Sequence, residues 1–212
     1  EKYEYAINTA KKDKQKLALA YNNKAYILVI QGKYDMAIEQ YQKAISYTPK
    51  IARVYENYGS MLARQGKTDE ATDAYQKAID VCQKAIMNNQ KDWLAYQHKG
   101  SALEAQGKPD EAIKVYQKAV EINPKDGYSY ISWGRALEGQ RMQDEAIKVY
   151  QKAVEINPKN GYLYRCWGRV LEDQGKPDEA IKVYQKAVKM NPNATGYNKQ
   201  IIDELQKRLV TR

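Results

Sequence analysis

PDEAIKVYQKAVEINPK occupies Pro109–Lys125, and QDEAIKVYQKAVEINPK, with only its first letter changed, occupies Gln143–Lys159. A third copy, PDEAIKVYQKAVKMNP, lies at Pro177–Pro192, again 34 residues further on. A fixed period of this length marks stacked helical units, none of which buries its apolar face alone. Such a chain offers an extended surface rather than a catalytic pocket.

Alignment on Ala112, Ala146 and Ala180 extends the pattern to five repeats: Ala18–Ile51, a second starting at Ala52, Trp93–Asp126, Gly127–Asn160 and Gly161–Ala194. Each holds two apolar runs at helical spacing, separated by a turn. In the first run a large residue, a small one and a leucine recur, as in Tyr21, Ala25, Leu28 and in Tyr130, Gly134, Leu137. In the second, Ala37, Tyr41, Ala44 have their counterparts in Ala146, Tyr150, Ala153. Short side chains at fixed places let two helices cross closely. Gly32, Gly66, Gly107 and Gly175 sit between the runs, where a left-handed residue ends a helix. Arg141 stands there in repeat four, which predicts a strained turn. Pro109 and Pro177 fit a helix start, and Asp110-Glu111, Asp144-Glu145 and Asp178-Glu179 place negative charge in a first turn.

The departures from the period are informative too. Repeat two carries seven additional residues, with QKAI at both Gln76–Ile79 and Gln83–Ile86. A seven-residue step keeps the same helix face, so the spacing predicts a second helix lengthened by two turns near residues 80–92. Tyr3–Ile7 (YEYAI) resembles Tyr41–Ile45 (YQKAI), which predicts a partial hairpin over residues 1–17, left over from a longer array. At the other end, Tyr197, Ile201, Ile202, Leu205 and Leu209 share one helical face, which predicts a capping helix within 195–212.

The small and aromatic positions together with the Asn-Pro ends resemble the tetratricopeptide repeat family, over five repeats within 18–194. The resemblance implies an all-α, right-handed superhelical solenoid of antiparallel hairpins. First helices would line a concave groove that binds a peptide or partner protein. The inferred groove positions nearly balance in charge. Arg53, Arg64, Arg135, Arg165, Arg169, Lys199 and Lys207 face Glu56, Glu104, Glu138, Glu172, Asp173 and Asp203. Tyr26, Tyr128, Arg135, Tyr162, Arg165 and Arg169 are the candidate contact residues, because Arg and Tyr combine planar donors with rigid apolar area. They favour a partner with acidic or carboxylate groups. Against this, Arg135 with Glu138 and Arg169 with Glu172 have the spacing of intrahelical pairs. Ile131, Val29 and Ile30 are also expected to face the groove. The family's clamp for chaperone tails is absent in this register, since Leu94 and His98 stand where Lys and Arg are required.

Other chemistries find little support. His98 is the only histidine and reads as a helix-surface residue; no nucleophile motif, phosphate loop or metal-ligand spacing accompanies it. No catalytic residue, cofactor or metal is therefore expected. Cys82 and Cys166 lie far apart and read as reduced thiols, which points to the cytoplasm. No apolar run is long enough to span a membrane. The net charge of +9 comes largely from lysine ladders on the second helices, such as Lys114, Lys148, Lys182 and Lys118, Lys152, Lys186. Duplication of a solvated position accounts for them, so nucleic acid is disfavoured as a partner. The reading is a non-enzymatic scaffold or adaptor. The alternatives are a regulatory array from a larger enzyme and a structural protein self-associating through its N-terminal edge.

Overall fold

The computed structural model describes residues 13–190 and 196–210, with side chains described at 13–190 and 200–207. The N-terminal segment Tyr3–Ile7, Pro192, and the side chains of Tyr197, Lys199 and Leu209 lie outside the described residues. Among these residues the chain is all-helical, with α1 Lys14–Ile30, α2 Tyr34–Tyr47, α3 Ala52–Arg64, α4 Thr68–Asn88, α5 Trp93–Ala105 and α6 Pro109–Ile122. There follow α7 Gly127–Gly139, α8 Gln143–Ile156, α9 Gly161–Asp173, α10 Pro177–Met190 and α11 Gly196–Val210. The chain divides into two compact units, residues 1–112 and 113–212.

Within each unit, helices consecutive in sequence pack as hairpins, and first helices of successive repeats also touch: α1 on α3, α3 on α5, and α7 on α9. Local chemistry sets the ends of these helices. Asp13, Asp92, Asp126 and Asn160 cap α1, α5, α7 and α9, each accepting from a backbone N–H in the first turn. The first helices end in a Schellman turn. In repeat one the Lys33 N–H donates to the Leu28 carbonyl at 2.9 Å and the Gly32 N–H to Val29 at 3.1 Å, with Gly32 at φ 73°.

Arg141 adopts the same left-handed conformation, φ 61°, while Met142 and Arg141 donate to Leu137 and Glu138. The hydrogen bonds of the turn outweigh the strain on one side chain. A side-chain-bearing residue pays roughly 1–2 kcal/mol there, partly offset by the lower backbone entropy it loses on folding. Arg141→Gly is therefore expected to stabilise the chain by about 0.5–1 kcal/mol. Chemical denaturation measures this; a lower midpoint would show that the Arg141 side chain compensates elsewhere.

In the N-terminal unit Ala18, Ala25, Ala37, Tyr41, Ala44, Val54 and Met61 form one buried cluster, with Tyr21 stacked on Tyr47 at 5.5 Å. Val29 packs against this cluster instead of lining an open face, whereas Ile30 is 65% exposed. The α4 helix runs for 21 residues where α6, α8 and α10 run for 14. Its added turns bury Cys82 and Ile86 but leave Met87 exposed. In the C-terminal unit Tyr130, Tyr150, Tyr164 and Tyr184 are buried among Ala, Val and Leu side chains. Ile202 and Leu205 of α11 join that core. Ile131 is buried as well, so its expected place in the groove is corrected. It sits one residue after the inward Tyr130, where the apolar face of α7 is wide enough to take it.

Close approach of the hairpin helices depends on glycine. A Cβ placed on Gly134 would overlap the Tyr150 ring, and one on Gly168 would overlap Tyr184. On Gly59 it would come within 2.7 Å of Tyr75.

Candidate protein-binding site

In the C-terminal unit an open cleft is lined by α9, α10 and α11. It measures about 380 Å³ and is bounded by Tyr162, Arg165, Arg169 and Glu172 of α9, Tyr184 of α10 and Glu204 of α11. Tyr162 is 43% exposed, and the Arg165 guanidinium lies 4.8 Å from its ring centroid. That cation–π contact holds both planes in one orientation. Tyr128 and Arg135 are exposed on α7 and do not line the cleft. Arg135 is nevertheless close enough to act on the Cys166 thiol. Burial, with Glu138 adding to it, holds that thiol above its ordinary value, although Arg169, Arg135 and Arg165 pull it down. Tyr26, also exposed, belongs to the N-terminal unit.

Glu138 organises this region. Tyr150 donates its hydroxyl to Glu138 Oε1 at 2.6 Å, and Arg169 donates to Oε2 at 2.7 Å. The intrahelical pairing expected from sequence is thus corrected for Arg169. Its partner is Glu138 of the preceding repeat, and Glu172 instead accepts from Tyr184 at 2.6 Å. Tyr184 and Tyr150 are almost fully buried, and a buried hydroxyl left without an acceptor costs more than an exposed ion pair returns. Burial, then the hydrogen bond to Glu138, raises Tyr150 far above an ordinary phenol. For Arg169 burial works downward, yet the Glu138 charge holds the net shift upward.

His98 is likewise corrected. Its side chain is 21% exposed and Nδ1 lies 2.9 Å from Glu56 Oε1, joining α5 to α3. Cys82 is raised to about 12, first by burial and then by Glu56 and Asp92. Asn57 of repeat two donates to Asn22 of repeat one at 2.9 Å, which explains a buried asparagine on α1.

Sequence reasoning missed one further set of contacts. Gln65 donates to Asp35 at 3.2 Å and Gln174 to Asp144 at 2.8 Å, tying each first-helix end to the second helix one repeat earlier. Gln106 reaches Thr72 and Gln76 from the same repeat position. The signal was present: Gln31, Gln65, Gln106, Gln140 and Gln174 recur in register beside the turn. Among the described residues no group of His, Cys, Asp and Glu side chains is placed to hold a metal ion. No helix there is long and apolar enough to cross a membrane.

The structure is similar to that of YrrB, described as a TPR protein with an unusual peptide-binding site, at 22% identity over 98% of each chain and a TM-score of 0.51. TTC0263, a thermophilic TPR protein of Thermus thermophilus, matches at 15% identity over 91% of this chain and 99% of that one, TM-score 0.60. MamA from Desulfovibrio magneticus matches at 21% identity over 84% and 95%, TM-score 0.51. At these identities the likeness speaks for the fold alone. Comparison with curated proteins found no match. Family models described as tetratricopeptide or TPR repeat match residues 25–66, 50–125, 98–161 and 161–194, so that together they span 25–194. With matches running through all five hairpins, the chain belongs to the tetratricopeptide repeat family.

Proposed function

We propose that the first-helix face of the C-terminal unit binds a partner peptide or protein through an acidic or carboxylate-bearing segment. Tetratricopeptide chains are protein-interaction scaffolds, typically non-enzymatic, and this one shares their repeats and hairpins. The observation that carries the finer reading is the cleft in which Tyr162, Arg165 and Arg169 meet, with Arg165 already stacked on Tyr162. A guanidinium held over a ring loses little further freedom when it grips a carboxylate. Arg135 and Tyr128 on α7, and Tyr26 in the N-terminal unit, are the remaining candidate contacts. Arg169 contributes as a shared donor, since Glu138 occupies one of its nitrogens.

The test is affinity capture with the wild-type chain beside the Arg135, Arg165, Arg169→Ala triple variant, followed by titration of each captured partner. Loss of at least about tenfold in affinity is expected, because truncated Arg anchors dominate such surfaces. Equal capture by both chains would remove the groove assignment.

A further inference from the structure

A second set of clefts opens beside the second helices. One, of about 330 Å³, is floored by Ile113, Trp133, Leu137 and Val149, with Lys148 and Lys152 on its rim. Another, of about 340 Å³, repeats it 34 residues on, with Ile147, Trp167 and Leu171 below and Lys148 shared between the two. The N-terminal unit has the equivalent cleft around Tyr58, and there the rim differs. At the repeat position of Lys148 it carries Asp73, while Glu70 and Lys77 keep the charges of Glu145 and Lys152. That cleft also closes on itself, because Gln42 donates to the Tyr58 hydroxyl at 3.3 Å. The buried Trp133 and Trp167 indole N–H groups have no such partner. Copying the repeat accounts for the shape of these clefts, but not for the lysine that replaces an aspartate at the single rim position of Lys148.

We infer that the Trp133 cleft is a second docking site, taking an apolar side chain from an acidic segment of a partner protein. The aromatic floor and Leu137 supply apolar contact area, and Lys148 and Lys152, both exposed and one turn apart, meet carboxylates flanking the anchor. Glu145 on the same rim repels a dense polyanion more than a segment with a few carboxylates, so such a peptide fits better than a nucleic acid. This inference does not rest on the α9 cleft.

The experiment is fluorescence anisotropy of the full chain with labelled peptides in which one leucine, phenylalanine or methionine is flanked on both sides by glutamates. Saturable binding is expected, weakening by at least about tenfold in the Lys148→Glu, Lys152→Glu double variant and with alanine at the anchor. Both lysines are exposed, so the variant keeps its fold, and circular dichroism checks this. The Arg165→Ala, Arg169→Ala variant should bind these peptides as the wild type does. The inference is overturned if none of the three peptides saturates or if the double variant binds within about twofold of wild type. It is equally overturned if the alanine peptide binds equally well, or if a single-stranded oligonucleotide displaces the peptide at lower concentration. Loss of binding in the arginine variant instead would move the peptide to the α9 cleft and favour the first proposal.

Discussion

Replacing Gly134 with alanine is expected to destabilise the C-terminal unit by about 3 kcal/mol, near the upper end of what overpacking one methyl group costs. The added Cβ would overlap Cζ and Cε1 of Tyr150 and come within 2.7 Å of its hydroxyl. Tyr150 cannot swing aside, because its ring is fully buried and its hydroxyl is tied to Glu138 at 2.6 Å. Either α7 and α8 separate or the hydrogen bond breaks. Repeat one accommodates Ala25 over Tyr41 at the same place, so a hairpin can be built around the methyl group if its helices stand further apart. In repeat four that widening would loosen the cluster holding Tyr130, Val149 and Leu163. Urea denaturation measures the loss, and hydrogen exchange of α7 and α8 localises it. A double-mutant cycle with Tyr150→Leu should recover part of it. A Gly134→Ala protein as stable as the wild type would mean that the ring moves and that the close approach is not what glycine supplies.

Glu138→Ala carries the second large effect, expected at about 2–3 kcal/mol. Alanine favours the helix, so propensity works against the loss and does not mimic it. The cost comes from leaving the Tyr150 hydroxyl without its acceptor in a ring with no exposed surface. The ion pair adds little. The Arg169 side chain is 56% exposed, and solvent screens most of its attraction to Glu138. Arg169→Ala should therefore cost less than about 1 kcal/mol. Tyr150→Phe, which removes the donor and keeps the ring, should fall between the two. Denaturation midpoints of the three variants check the order. If Arg169→Ala proved the most damaging, the carboxylate would belong to the ion pair rather than to the buried hydroxyl.

Much of the fold was legible because it rests on local rules. Gly32 and its counterparts end a helix in a conformation that side chains resist, Asp110 and Asp144 lie in the first turn of a second helix, and Tyr and Ala recur at helical spacing. Each is readable without knowing what lies across the interface. The candidate site was legible only as a set of residue types. Arg165 over Tyr162 falls within one helix turn and could be anticipated, whereas the partner of Arg169 could not. A spacing of three residues makes Glu172 available to Arg169, but Glu172 accepts from the buried Tyr184 while Arg169 reaches Glu138 of the preceding repeat. His98 was misread for a similar reason. Its neighbour Glu56 comes from another repeat, and nothing in the helix holding the histidine announces that contact.

By itself the sequence determined the hairpins, their glycine turns, the left-handed Arg141 turn and the family, since period, glycine placement and helical spacing act over a few residues at a time. Only the tertiary structure decided which carboxylate serves which donor, which first-helix side chains are buried as Ile131 is, and that Trp133 and Trp167 floor clefts rimmed by lysine. Those outcomes depend on competition between groups brought together from different repeats. Burial weighs on that competition, because a hydroxyl removed from water loses more without a partner than an exposed charge does.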